Sequence, residues 1–180
     1  MRVLVMCEGS NELEIVRILI KNNLFKYSED ELLGLTPYHA RQISTSGQVR
    51  TELNIYPGKV EVLRIGDKQS DELRIPKEYE SKIISVKKYC TKPELEMLLI
   101  LAEGLYDEYT KVKSRVRPKE FAKAYITYNG KRYDNSSRFY REYFGNDPQR
   151  LIKALSDYKR ISGAHKKDEF YLVDLVTKKG

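Results

Sequence analysis

Val3-Leu4-Val5-Met6-Cys7-Glu8-Gly9-Ser10-Asn11-Glu12 is the stretch on which the fold turns. Residues 2–7 form a short, mostly apolar run with valine at two positions, the signature of a buried β-strand. Gly9 interrupts it. Leu13, Val16, Ile20 and Leu24 then recur at helical spacing, and Ile15 and Leu19 widen the same face over residues 11–24. A strand that passes straight into a helix leaves Glu8 at the strand's carboxyl end, the edge at which open α/β sheets bind ligands. A carboxylate there is poorly placed for packing and well placed for a metal ion or a proton transfer. The plainer role is to cap the helix, which Glu8 or Asn11 has the chemistry to do. Asn11 alone suffices for that and leaves Glu8 over.

Working outward, Lys59–Ile65 reads as a second strand with Val60 and Val62 inward, and it ends at Gly66-Asp67. Lys82–Tyr89 reads as a third. Between them, residues 67–81 are a polar excursion broken by Pro76. Asp30–Leu33 suits a short helix, Thr45-Ser46-Gly47 opens a segment running to Ile55, and Pro57-Gly58 is a turn. Thr91-Lys92-Pro93-Glu94 predicts a helix start, with Thr91 as N-cap and Glu94 closing a capping box. Leu95, Leu98, Leu99, Ala102 and Leu105 give that helix one apolar stripe, which predicts a helix running past Gly104 to about Ser114. Strands alternating with helices predict an α/β fold with a mostly parallel sheet.

After Pro118 the character changes to basic and rich in Tyr and Phe. Asn129-Gly130 predicts a hairpin turn, Pro148–Tyr158 a helix, and residues 169–176 an apolar end that docks on the core. The expected organisation is a domain over 1–114 and a basic helical and hairpin extension over 115–180 packed on it.

With 41% hydrophobic and 33% charged residues, the chain suits a polar globular protein. No apolar run approaches the roughly 20 residues of a membrane helix. The first residues lack a signal-peptide pattern. Cys7 and Cys90 are too few for a disulfide framework or a zinc site, and read as buried free thiols in a reducing cytoplasm. The net charge of +7 is unevenly spread: −3 over residues 1–110 and +10 over 111–180. Clustered cations are the footprint of a phosphate-backbone binder. The candidates for DNA or RNA contact are Lys68, Arg115, Arg117, Lys131, Arg132, Lys166 and Lys167. His39 and His165 are isolated and read as structural or surface residues. The fourteen tyrosines read as packing residues with a polar handle.

Three acidic residues hold comparable places: Glu8 after the first strand, Asp67 after the second, and Glu96 shortly after the third. Parallel strands bring their carboxyl ends to one edge, where these three are expected to converge. Converging carboxylates repel, and a hard divalent cation relieves that repulsion while leaving room for waters and substrate phosphates.

The run Glu8-Gly9-Ser10-Asn11-Glu12 resembles the first motif of Toprim domains, which occur in topoisomerases, primases and several nucleases. The family's glutamate, a general acid/base or metal ligand, falls on Glu8. Its second motif, Asp-x-Asp, meets Asp67-Lys68-Gln69: the first Asp matches and the second is Gln, with Asp71 two residues on as the substitute. Thr91-Lys92-Pro93-Glu94-Leu95-Glu96 resembles the Asn-Pro-Cys-Phe-Glu segment of RloB-like proteins, small Toprim relatives of bacterial defence loci; the family's Glu then falls on Glu96. The resemblance, shared with OLD-type Toprim nucleases, covers about residues 1–110. It implies a Mg²⁺- or Mn²⁺-dependent nuclease of DNA or RNA in phage defence, with Glu8 and Asp67 catalytic and Glu8, Asp67, Asp71 and Glu96 around the metal. It also implies a separate ABC-type ATPase partner, since no phosphate-binding P-loop is present here. The other expectation is a non-catalytic Toprim-fold subunit that binds nucleic acid or an ATPase.

Overall fold

The computed structural model describes every residue except 68–71, 162, 164 and 178–180. Its main sheet holds β1 (Arg2–Cys7), β2 (Tyr38–His39), β3 (Val60–Gly66), β4 (Ile83–Cys90) and β7 (Glu169–Tyr171) in the order β2-β1-β3-β4-β7. Every neighbouring pair is parallel. Seven α-helices accompany it among the described residues: α1 (Ser10–Lys21), α2 (Gly47–Ile55), α3 (Met97–Ala102), α4 (Tyr106–Val112), α5 (Pro118–Tyr125), α6 (Ser137–Gly145) and α7 (Pro148–Ile161). A two-stranded antiparallel hairpin, β5 (Thr127–Tyr128) with β6 (Lys131–Arg132), stands apart from the sheet. The expected α/β fold with a parallel sheet is therefore present. No helix among the described residues is long and apolar enough to cross a membrane.

Alternation along the strands sorts the core into two layers, because successive side chains leave opposite faces. Val3, Val5, Cys7, Leu63, Ile65 and Tyr89 pack with Ile15, Val16 and Leu19 of α1 and with the helices of the C-terminal half. Leu4, Met6, Val60 and Val62 pack on the other face with Val49 and Leu53 of α2. Both faces of β1 and β3 are covered, so these strands read as continuous apolar runs.

Residues 115–180 are built into this architecture. They supply β7, the edge strand beside β4, and α6 and α7, which pack on α1 and α3. The aromatic run explains the first of these contacts: Phe139, Tyr140, Tyr143 and Phe144 are all buried along α6, whose start is capped by Ser136 accepting from the Phe139 N–H at 3.2 Å. Asn129 and Gly130 take positive φ values of 48° and 73°, as a tight hairpin turn requires.

The helix expected to open at Thr91 and run to Ser114 does not form that way. Residues 91–96 form a turn, α3 begins at Met97, and Glu96 is its N-cap residue. A residue before proline is disfavoured in the helical region, so Lys92-Pro93 resists joining a helix. Glu94 makes no capping box with Thr91, whose buried Oγ1 has no hydrogen-bond partner. α3 then stops at Gly104, which has φ 69°; the Leu105 N–H reaches back to the Ile100 carbonyl at 2.9 Å, and α4 starts afresh. The helix reading of Asp30–Leu33 resolves into two short 3₁₀ turns, Glu29–Glu31 and Leu33–Leu35. Nor does Asn11 cap α1. The cap position is Gly9, without a side-chain bond, and the Asn11 amide instead reaches Asn135 at 3.2 Å.

Candidate functional site

β2 and β3 lie on opposite sides of β1, so the winding of the chain reverses between β1 and β3. The carboxyl edge at such a switch point opens a crevice, the usual ligand site of doubly wound sheets. Here it is a cavity of about 240 Å³ lined by Gly9, Ser10, Asn11 and Glu12 from the start of α1, Asp67 beyond β3, Glu94 to Glu96 before α3, Lys119 of α5, and Asn135. Larger hollows exist elsewhere: one of 570 Å³ beside α1 and α6, others of 710 and 550 Å³ near Lys26. They gather no comparable set of acidic groups, so chemistry rather than size selects the switch-point cavity.

Glu12 is the carboxylate that stands out there, at 9% exposure. Burial pushes its pKa up to about 7; its own backbone N–H opposes the rise, and the charges of Asp67, Glu8 and Glu96 add to it. That coupling places the four carboxylates in one electrostatic neighbourhood. Glu96, at 5% exposure, is also raised by burial, against a lowering hydrogen bond from Tyr133. Two glycines make room for the group. A Cβ on Gly9 would run into the Glu12 carboxylate, and one on Gly66 into that of Glu8. The short Glu-Gly and Gly-Asp dipeptides are thus packing requirements of the acidic site.

Glu8 does not line the cavity. Its carboxylate turns toward β3, where Arg64 Nη2 donates to Oε1 at 3.4 Å, and Arg41 Nε donates to its carbonyl at 3.4 Å. Arg64 is 2% exposed and is a cation inside the sheet edge, a charge that needs partners such as Glu8 and the Arg41 carbonyl at 3.5 Å. Glu94, by contrast, is structural. It accepts from the Lys119 backbone N–H at 2.9 Å and pairs with Arg117, so it satisfies the start of α5 from across the chain. Glu94→Ala is expected to lower stability by about 1 kcal/mol, the usual cost of a lost cap, as chemical denaturation would show.

The cationic side of the cavity comes from the C-terminal third. With the Asn135 amide turned so that its oxygen accepts from Lys119 Nζ at 2.9 Å, its nitrogen donates to Glu96 Oε1 at 3.2 Å. Asn135 has φ 65°, a left-handed conformation that asparagine tolerates and that aims the amide inward.

The sequence candidates thus divide. Asp67 and Glu96 line the cavity, Glu8 stands beside it, and Asp71 and Lys68 lie outside the described residues. Arg115, Arg117, Lys131, Arg132, Lys166 and Lys167 are all exposed; Arg117 pairs with Glu94 and Lys131 with Glu142. His165 stacks on Tyr171 at 3.9 Å and meets the Tyr158 hydroxyl at 3.0 Å, a packing arrangement. Cys7 and Cys90 are free and buried, and burial raises both thiols, Cys90 to about 12. Glu12, Lys119, Asn135 and Arg64 were not singled out by sequence reasoning. Glu12 carried a signal, since it follows Glu8 by one helical turn; the other three carried none, because only tertiary contacts bring them here.

Among the described residues, no three Asp, Glu, His or Cys side chains close into a metal cage. Mg²⁺ seldom uses one, because it is held by one or two carboxylates together with waters and substrate phosphates. Asp67 and Glu96, oxygen donors lining one cavity with Glu12 beside them, fit such an ion.

Fold and site together define a doubly wound α/β protein with a carboxylate cavity at its switch point. Comparison with protein-family models, curated proteins and solved structures finds no match to this chain.

Proposed function

We propose that this protein is a divalent-cation-dependent phosphodiesterase of Toprim type that acts on DNA or RNA. The observation that carries the reading is the crowding of Glu12, Asp67 and Glu96, with Glu8 alongside, in one cavity that also holds Lys119. Asp67 and Glu96 would hold Mg²⁺ or Mn²⁺, with Glu12 beside them and waters and substrate phosphate completing the shell. Such an ion, when bound, polarises a phosphoryl oxygen and lowers the pKa of a water. Lys119 places a positive charge beside the carboxylates, where a phosphate oxygen needs one. Glu8, held by Arg64 at 3.4 Å, is positioned at the rim to accept a proton from an attacking water. The exposed cations of residues 115–167 supply sequence-independent contacts to a phosphate backbone. Phage defence and an ATPase partner enter through the resemblance of the Glu8-Gly9 and Pro93-x-x-Glu96 segments.

The test is cleavage of supercoiled DNA, single-stranded DNA and tRNA with Mg²⁺ or Mn²⁺, comparing wild type with Glu8→Gln and Asp67→Asn. Metal-dependent cleavage lost in both variants is expected. Equal cleavage by wild type and variants would overturn the assignment. The Glu8–Arg64 pair, together with Gln69 in place of a second motif aspartate, favours a second reading, a non-catalytic subunit. It predicts nucleic-acid binding that needs no metal and no turnover on any of the three substrates.

A further inference from the structure

We propose that Tyr133, from the C-terminal third of the chain, is a positioning residue that fixes the Glu96 carboxylate for ion binding at the switch-point cavity; this rests on the phosphodiesterase reading. Tyr133 follows β6, and its N–H bonds the Ile126 carbonyl at 3.0 Å, which continues the hairpin and anchors the backbone. Its ring is 2% exposed, set edge-on between Phe139 at 5.1 Å and Tyr140 at 5.8 Å. Edge-on aromatic contacts of this kind leave the ring few alternative orientations.

The hydroxyl sits among Glu96 Oε1, the Asn135 amide and the Tyr140 hydroxyl. It donates to Glu96 Oε1 at 2.7 Å, within the buried interior. A phenol keeps its proton at neutral pH, so the hydroxyl is the donor and the carboxylate the acceptor. The Tyr140 hydroxyl stands 3.2 Å from that of Tyr133, and with the Tyr133 proton committed to the carboxylate, Tyr140 is the donor in this pair. The Asn135 amide, turned as above, adds a second donor to the same oxygen at 3.2 Å. Both donors grip Oε1, so the rotation of the carboxyl group about its last torsion is set by residues more than thirty positions away. That torsion is otherwise broad. Partners that orient an ion-binding side chain typically contribute 10–100-fold to ion affinity.

The experiment is titration of the full chain with Mn²⁺ alone, followed by electron paramagnetic resonance, for wild type, Tyr133→Phe, Tyr140→Phe, Glu96→Gln and the Glu96→Gln/Tyr133→Phe double variant. Circular dichroism and thermal melting confirm that each is folded. Tyr133→Phe is expected to weaken Mn²⁺ binding about tenfold or more, and Tyr140→Phe much less, because its hydroxyl reaches Tyr133 and not Glu96. In the Glu96→Gln background the Tyr133 change is expected to add nothing, which a merely structural role would not produce. Equal Mn²⁺ affinity of wild type and Tyr133→Phe, or an additive loss in the double variant, would overturn the positioning role and leave the phosphodiesterase reading standing. Wild type that binds no Mn²⁺ would overturn both.

Discussion

Glu12→Gln is expected to make the metal-free protein more stable, by about 3 kcal/mol at pH 8, while weakening the metal-dependent activity proposed for it. The carboxyl has an ordinary pKa of 4.5 and one of about 7 in the fold. An acid whose pKa rises on folding holds its proton more tightly in the folded state. Its contribution is fully favourable below pH 4.5 and is lost as the pH climbs through about 7. Above that, the fold carries an ionised group in a buried site facing Asp67, Glu8 and Glu96, at about 1.4 kcal/mol for each unit of pKa displacement. Glutamine has nearly the same shape and no charge. Denaturation in the presence of a chelator, at pH 5 and at pH 8, measures the effect. Wild type should lose stability between the two and the variant much less, a gap of roughly 5–10 °C in Tm at pH 8. A variant no more stable than wild type at pH 8 would mean that Glu12 is an ordinary helix-start acid and that the carboxylates are not crowded. The opposite sign expected for Glu94→Ala separates a residue kept for chemistry from one kept for folding.

Gly66→Ala is expected to cut the cleavage activity proposed for the protein about 100-fold and to lower stability by about 3 kcal/mol, because it strips the buried Arg64 of its Glu8 partner. Gly66 ends β3 without a positive φ, so alanine meets no backbone strain there. What the new methyl group meets is the Glu8 side chain, from Cγ to the carboxylate, which must shift. Glu8 then leaves both its seat on β3 and its partner Arg64. Displacing a reacting group by about an ångström is enough for a loss of that size. Cleavage rates and urea denaturation of the same preparation test it. Full activity in Gly66→Ala would show that the position of Glu8 does not matter to the reaction. A protein that no longer folds would show that Gly66 serves the fold instead.

The parallel α/β sheet was legible because its evidence is local. Val3 to Cys7, Val60 to Ile65 and Ile83 to Tyr89 announce strands through short apolar runs, and the glycine after each of the first two marks where the chain must turn. Acidic residues next to those turns could be assigned to one edge by topology alone, which is how Asp67 and Glu96 came to the cavity they line. The α3 boundary failed because a capping box is a local pattern, and Glu94 found a better partner: the Lys119 N–H at the start of α5, twenty-five residues away. The aromatic run after Pro118 showed that something would be buried there, without showing what it would cover.

By itself the sequence determined the strands, their parallel alternation with helices, and the edge at which Glu8, Asp67 and Glu96 would gather, since backbone periodicity and turn chemistry act over a few residues. Only the tertiary structure decided which carboxylate is buried and coupled. It turned Glu8 aside to Arg64 and left Glu12 in the cavity, and it brought Lys119, Tyr133 and Asn135 across from the C-terminal third. Those outcomes depend on desolvation and on contacts between residues far apart in the chain, and no local pattern records either.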